Sequence, residues 1–369
     1  TGTMRVVVAG TYYGDLIGLS TEKPEGSEAK ESAPDQPSPL QLSFAYRAHI
    51  GCIKSLALCT TQKRGGALLV SGGTDERIRI YDLALKAEVG ELQQHNGAVT
   101  CLAFVGSTHL LSGSTDSTIC IWRVHDWNCL QILGDHSGEV LDLAVHPSGR
   151  VALSVAKDRT IRLWDLIKGR CAFTRRVRGI AEQVQWDEEG SMYAILIGRD
   201  VQVHNAADNS VVCKLEHEKR TNAFKFLPGI GTILTAGDDR LLRFFRVSDG
   251  SLVRQLDLST VFPFRIRDLC LHENQAILAS SSGSVQVWDV EKMLAGYSVA
   301  AQEGGEAEEK ADRAPELSDC LVDAYEASDD ARLTCVVADE WRDIPSEAAD
   351  APEPGSRRKR RKKATAKKK

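Results

Sequence analysis

The chain has 369 residues, 42% of them hydrophobic and 26% charged, with a net charge of −5. That apolar content supports a large core, while no run approaches the roughly 18 apolar residues of a membrane span and no signal-peptide pattern opens the chain, which predicts a soluble intracellular protein. Ten cysteines without a single Cys-x-x-Cys exclude the common zinc and redox signatures.

In chain order, residues 4–19 read as two apolar strands joined by a tight turn, with no earlier strand to flank them. Residues 20–40 are rich in Pro, Ser and Glu and read as an insertion. Gln41 to Tyr46 follows as a further strand. From residue 49 a unit then recurs, and its clearest copy is His136 to Leu166. There Val140 to Val145 and Val151 to Val155 are apolar, and Thr160 to Asp165 alternates. Pro147-Ser148-Gly149 and Lys157-Asp158-Arg159 punctuate the joins, and Cys171 to Thr174 adds a fourth strand. Such a sheet exposes both faces and two edges, so it needs neighbours.

Those neighbours are spaced by an aromatic or histidine at the end of each third strand. Tyr81, Trp122, Trp164, His204, Phe245 and Trp288 stand 41, 42, 40, 41 and 43 residues apart, the period of a propeller array. Cys129, Cys171 and Cys213, each 42 apart, and Cys59 and Cys101, also 42 apart, are read as small buried residues at equivalent positions of successive repeats. A second insertion spans 291–317, and within it residues 302–316 carry six acids against two bases. Cys320 to Tyr325 reads as the fourth strand of the sixth unit. Arg332 to Val337 is then a lone first strand that complements the two strands at the start. Pairing the two ends makes a seventh blade and removes the open edges of the ring. The domain so defined covers 4–338, followed by an acidic, Pro-containing linker at 339–356 and a tail at 357–369.

Several sets of residues look like catalytic triads: His49, Ser71 and Asp75; His95, Ser112 and Asp116; His136, Ser154 and Asp158; and His217, Thr235 and Asp239. Repetition argues against catalysis, because an enzyme needs one activated, exposed nucleophile and these hydroxyls lie inside strands in equivalent copies. In blade four Gly198 falls at the Asp position, and in blade six the turn Ser281-Ser282-Gly283 reads as shortened. No nucleotide, metalloprotease or deaminase signature is present. The chain is therefore read as a non-enzyme without cofactor, metal or small-molecule substrate.

Charge is unevenly placed. The tail holds ten Lys or Arg and no acid, which leaves 36 basic against 51 acidic residues elsewhere, a net of −15. Arg357, Arg358, Lys359, Arg360, Arg361, Lys362 and Lys363 read first as a nuclear-import signal, with a nucleic-acid contact or a solvated end as alternatives. A second basic run lies in the expected blade-joining loops: Arg175, Arg176 and Arg178, then Lys219 and Arg220, then Arg265 and Arg267. Successive loops line one rim of a ring, so Arg178, Lys219, Arg220 and Arg265 are a candidate partner-binding rim; a merely solvated rim is the competing reading.

The pattern His136…Asp158…Trp164-Asp165, echoed by His95…Asp116…Trp122, resembles the WD-repeat family. That resemblance implies an all-β, seven-bladed propeller. It also implies a structural role for the His, Ser/Thr, Asp and Trp sets, as tethers between the blade-joining loop and the turn between strands two and three. The segments HLLSGSTDSTICIW, DWNCL, LLRFF and ARLTC, with the split blade and the lysine-rich tail, further resemble the p21-activated kinase-interacting protein 1-like family. This likeness implies a nuclear and nucleolar scaffold of large (60S) ribosomal subunit assembly and pre-rRNA processing. Its implied partners are pre-60S particles and assembly factors, with rRNA contact through the tail. The alternative it implies is a signalling adaptor that binds and restrains p21-activated kinase.

Overall fold

In the computed structural model, residues 3–20, 40–60, 66–262, 264–295, 317–327 and 331–342 are described. They form seven four-stranded antiparallel sheets, the blades of a closed propeller. Six blades are built from consecutive strands. The seventh joins the two ends of the chain in the order Leu333–Arg342, Thr3–Thr11, Asp15–Ser20, Gln41–Arg47. Its register sets Val8 opposite Val337 and runs on to Thr3 opposite Arg342. The closing strand therefore extends to residue 342, past the point where the sequence suggested a linker. At the start of the expected 291–317 insertion a short helix, Val290–Leu294, is capped by the Asp289 side chain, which accepts from the Lys292 N–H. Residues 21–39, 296–316 and the basic tail lie outside the described residues.

The blades are held by what lies between them. Seven apolar clusters each draw on two successive blades: for example, Cys101, Leu111 and Ile121 of blade two pack with Val140, Ala152 and Trp164 of blade three. The spacing residues Tyr81, Trp122, Trp164, Phe245 and Trp288 each belong to the cluster with the preceding blade. Leu19 takes this place in the closing blade. Each of these residues, and His204 in blade four, stands at a bulge between strands three and four, where the register slips by one residue. The bulge recurs because a twisted outer strand must be re-aimed in every blade.

A second bulge recurs near the start of each first strand, leaving Lys54, Thr100, Leu141, Glu182, Asn222, Arg267 and Thr334 without a pairing partner on strand two. Beside it a stitch closes every blade interface. The first strand is an inner edge, so its outward N–H and C=O groups have no ladder partner and need one from elsewhere. In four interfaces a side chain accepts from the next blade's backbone N–H: Ser55 from Leu102 (3.0 Å), Asp142 from Val184 (2.9 Å), Gln183 from Phe224 (3.3 Å) and Asp268 from Val336 (2.8 Å). In the other three a side chain donates to the next blade's carbonyl: Thr100 to Val140 (2.7 Å), Asn222 to Ile266 (2.7 Å) and Thr334 to Ile53 (2.7 Å). The last of these links blade seven to blade one, so the girdle is continuous.

Two expectations are corrected by the registers. Blade six has a full-length turn, because Ala279 pairs with Val285 and leaves residues 280–284 between them, as Gly113 with Ile119 leaves 114–118 in blade two. Ser282 simply stands where Asp116 does. The short turn is that of blade four, where Leu196 pairs with Val201 and leaves only 197–200. The cysteine spacing also misleads: Cys129 and Cys171 do sit opposite Trp122 and Trp164, but Cys213 pairs with Val203 while Val211 faces His204. Cys101 likewise matches Ser55, since each follows the first-strand bulge. Turns of unequal length put a constant interval at different strand positions. All ten thiols are free.

Candidate functional site

In blades one to three the recurrent His, Ser and Asp side chains lie within hydrogen-bond distance of one another. In blade three His136 Nδ1 lies 2.9 Å from Asp158 Oδ2 and Nε2 lies 2.7 Å from Ser154 Oγ. Trp164 Nε1–H donates to the same Oγ at 2.8 Å. Burial pushes the His136 imidazole below its ordinary range despite the adjacent carboxylate, so the ring is neutral at pH 7. Burial alone would raise Asp158, but hydrogen bonds from Thr160, His136 and the Ser137 N–H outweigh it and hold the carboxyl at about 2. With Nδ1–H donating to Asp158, Nε2 must accept, and the Ser154 hydroxyl donates to it.

That order of donors is the order in a hydrolase triad, so burial has to decide between the readings. Ser154 is wholly buried within strand Val151–Ala156, and its oxygen is occupied by the tryptophan N–H. A nucleophile needs its oxygen free toward a substrate and an oxyanion site beside it. Ser112 is held in the same way by His95 (2.8 Å) and Trp122 (2.8 Å), with Asp116 on the other ring nitrogen at 3.1 Å. In blade one His49 bridges Ser71 (2.6 Å) and Asp75 (2.8 Å). Each Asp also accepts a loop N–H, from Ile50, Asn96 or Ser137, so loop and turn move as one body.

Blade five departs from this arrangement. His217 Nε2 meets Thr235 Oγ1 at 2.8 Å, but Nδ1 donates to the Leu215 carbonyl and Asp239 is absent from the set. Asp239 pairs with Arg243 at 2.7 Å, because the charged guanidinium on the following strand outcompetes a neutral imidazole. Blade four has no His-Asp pair, and Arg175 serves instead. It lies in strand Arg170–Arg176, not in a joining loop, and its guanidinium reaches the Tyr193 hydroxyl (3.3 Å), His204 Nδ1 (3.2 Å) and the Asn209 carbonyl (3.1 Å).

Arg178, Lys219 and Arg265 stand exposed in three successive blade-joining loops and make no ion pair among the described residues. Arg220 is also exposed but pairs with Glu182, so it brings less free charge to this rim. The first strands of all seven blades enclose a central channel of about 610 Å³, with Lys54, Lys225 and Arg267 among its lining and Asp142 and Asp268 near its wall. Burial pushes the Asp142 carboxyl up to about 6, partly offset by the Val184 and Leu143 N–H groups. Asp268 is raised for the same reason. Sequence reasoning missed this pair, since nothing in a single Asp codon position distinguishes a channel wall from a turn. Among the described residues no three His, Cys, Asp or Glu side chains converge as metal ligands, and no helix is long and apolar enough to cross a membrane.

Comparison with known proteins agrees with this architecture. The family described as "WD domain, G-beta repeat" matches residues 86–123 and 127–165. A p21-activated protein kinase-interacting protein 1-like protein of Gallus gallus is 31% identical over 345 residues, covering 92% of this chain and 81% of its own length. The Xenopus laevis protein of the same name is 32% identical over 336 residues, with coverages of 90% and 81%. Protein MAK11 of Saccharomyces cerevisiae is 28% identical over 334 residues, covering 77% of each chain.

Proposed function

The chain belongs to the p21-activated protein kinase-interacting protein 1-like family of WD-repeat propellers, and from that premise we propose that it is a non-catalytic scaffold of large ribosomal subunit assembly, acting in the nucleolus on pre-rRNA-containing particles. The observation that carries the scaffold half of this reading is the state of the three buried Ser hydroxyls. The Ser71, Ser112 and Ser154 hydroxyls are each buried in a strand and held by a tether histidine, so the triad-like sets offer no reacting group. The ribosomal half is supported by charge. An acidic ring bearing a cationic rim and a tail with Arg357 to Lys363 suits a body imported to the nucleus and held on RNA-rich particles by salt-sensitive contacts. The second reading, an adaptor that binds and restrains p21-activated kinase, is favoured by the names of the chicken and frog relatives.

Affinity purification of the tagged chain, with sequencing of bound RNA and identification of bound protein, separates the two. Large-subunit rRNA precursors and assembly factors are expected, and the quadruple variant Arg178→Glu, Lys219→Glu, Arg220→Glu, Arg265→Glu should lose them while its melting temperature stays unchanged. Recovery of a p21-activated kinase without such precursors would overturn the assembly reading.

A further inference from the structure

The turn between strands two and three holds an Asp in the tethered blades, but in the closing blade it reads Thr11-Tyr12-Tyr13-Gly14-Asp15, with Tyr13 at the Asp position between paired Gly10 and Leu16. No tether forms there. Tyr12 and Tyr13 instead project into solvent, 54% and 45% exposed, packed edge to face with ring centroids 5.6 Å apart.

The backbone beneath them is fixed. The Gly14 carbonyl accepts from the Ala48 and His49 N–H groups at 2.8 and 3.0 Å, and the Tyr12 N–H donates to the Arg332 carbonyl at 2.7 Å. Gly14 has φ +92°, and a Cβ there would lie 2.2 Å from the His49 carbonyl oxygen, so the turn can close on the loop only as glycine. Across from the rings, Gly51 (φ +113°) brings the loop against Thr74, whose Oγ1 accepts from the Cys52 N–H at 3.0 Å. Together these elements wall a groove of about 340 Å³ that also includes Arg47 and Lys54, both exposed, and no acidic side chain. Neither cation makes an ion pair among the described residues.

Two solvent-facing aromatic rings on a rigid turn, beside two cations, match the needs of unpaired bases and their phosphates. An acidic peptide would use the cations but has no requirement for ring faces. A duplex would present its backbone while hiding the base faces from the tyrosines. We propose that this groove binds single-stranded RNA, Tyr12 and Tyr13 stacking two bases while Arg47 and Lys54 hold adjacent phosphates. The proposal deepens the pre-ribosomal reading by giving the ring, and not only the tail, a direct contact with RNA.

The test uses the full chain, tail included, with a fluorescently labelled eight-nucleotide oligouridine, the corresponding duplex and a polyglutamate peptide, titrated by anisotropy from 50 to 300 mM salt. Tyr12→Ala with Tyr13→Ala should weaken single-strand binding by about 5- to 150-fold per stacked ring, with the salt slope preserved. Tyr12→Phe with Tyr13→Phe should restore it. Arg47→Gln with Lys54→Gln should reduce the slope of log K against log salt by about 1.4, at roughly 0.7 per phosphate contact on a single strand. Melting temperatures should be unchanged throughout. Equal binding of the alanine variant and wild type, or preference for the duplex or for polyglutamate, would overturn the groove proposal. If the alanine variant loses oligouridine but still co-purifies with large-subunit precursors, the groove stands and the scaffold reading stands with it. If wild type binds no precursor yet binds oligouridine through the tyrosines, only the scaffold reading fails.

Discussion

Replacing His136 by Ala removes the centre of the blade-three tether, and the cost can be worked out from its partners. Ser154 keeps the Trp164 N–H as donor but loses the only acceptor for its own proton, at a site with no solvent access. Leaving one buried hydroxyl proton unpaired costs about 1–3 kcal/mol. Asp158 keeps its bonds from Thr160 and Ser137, so it is weakened but not orphaned. The ring also packs on Trp164, centroids 6.0 Å apart, and its loss leaves a void. A total of about 2–4 kcal/mol is expected.

The pH dependence gives an independent readout. His136 is held below its unfolded value, so its contribution is complete above the unfolded pKa of about 6.5 and is lost as pH falls through the lower folded value. Asp158, at about 2 in the fold against 3.8, adds stability that is present above pH 3.8 and lost as pH falls through about 2. Urea denaturation at several pH values between 8 and 5 should show wild type losing stability over that range more steeply than His136→Ala. Ser154→Ala combined with His136→Ala should cost less than the two single changes added together, because one bond is shared. An unchanged urea midpoint for His136→Ala, coupled with the loss of one chemical step, would refute the tether.

Two further outcomes follow from the ring. Deletion of residues 333–342 should unfold the whole propeller cooperatively, because it exposes the Thr3–Thr11 edge and removes the Thr334 stitch to Ile53; a circular dichroism melt at the wild-type midpoint would contradict closure. Asp142→Asn removes the half-buried charge but has one carbonyl oxygen where the carboxylate accepts from both the Val184 and the Leu143 N–H, so its readout is the pH dependence: wild type should lose about 1–3 kcal/mol relative to the variant between pH 4 and pH 8. The carboxyl at about 6 carries its penalty only when ionised; a stability difference in urea that is the same at pH 4 and pH 8 would count against it.

The sequence by itself determined the blade count and the closure. A period near 41 residues can only be satisfied by units that bury their faces on one another, and two incomplete units at the ends have one partner each. It also marked the tether candidates of blades one to three, because Ser and Asp recur there 10 and 6 residues before an aromatic, with a His upstream. Only the tertiary structure decided which of two eligible groups a side chain takes. Asp239 stands at the tether spacing, yet Arg243 on the neighbouring strand captures it, a competition that depends on distance and charge and not on order in the chain. The girdle was illegible for a related reason. Five residue types, Ser, Thr, Asp, Gln and Asn, share the seven interfaces in no regular order, so no repeat betrays it. What the stitches share is a place on an inner edge strand with unpaired backbone groups, and that edge exists only once the seven sheets have been set around a common axis.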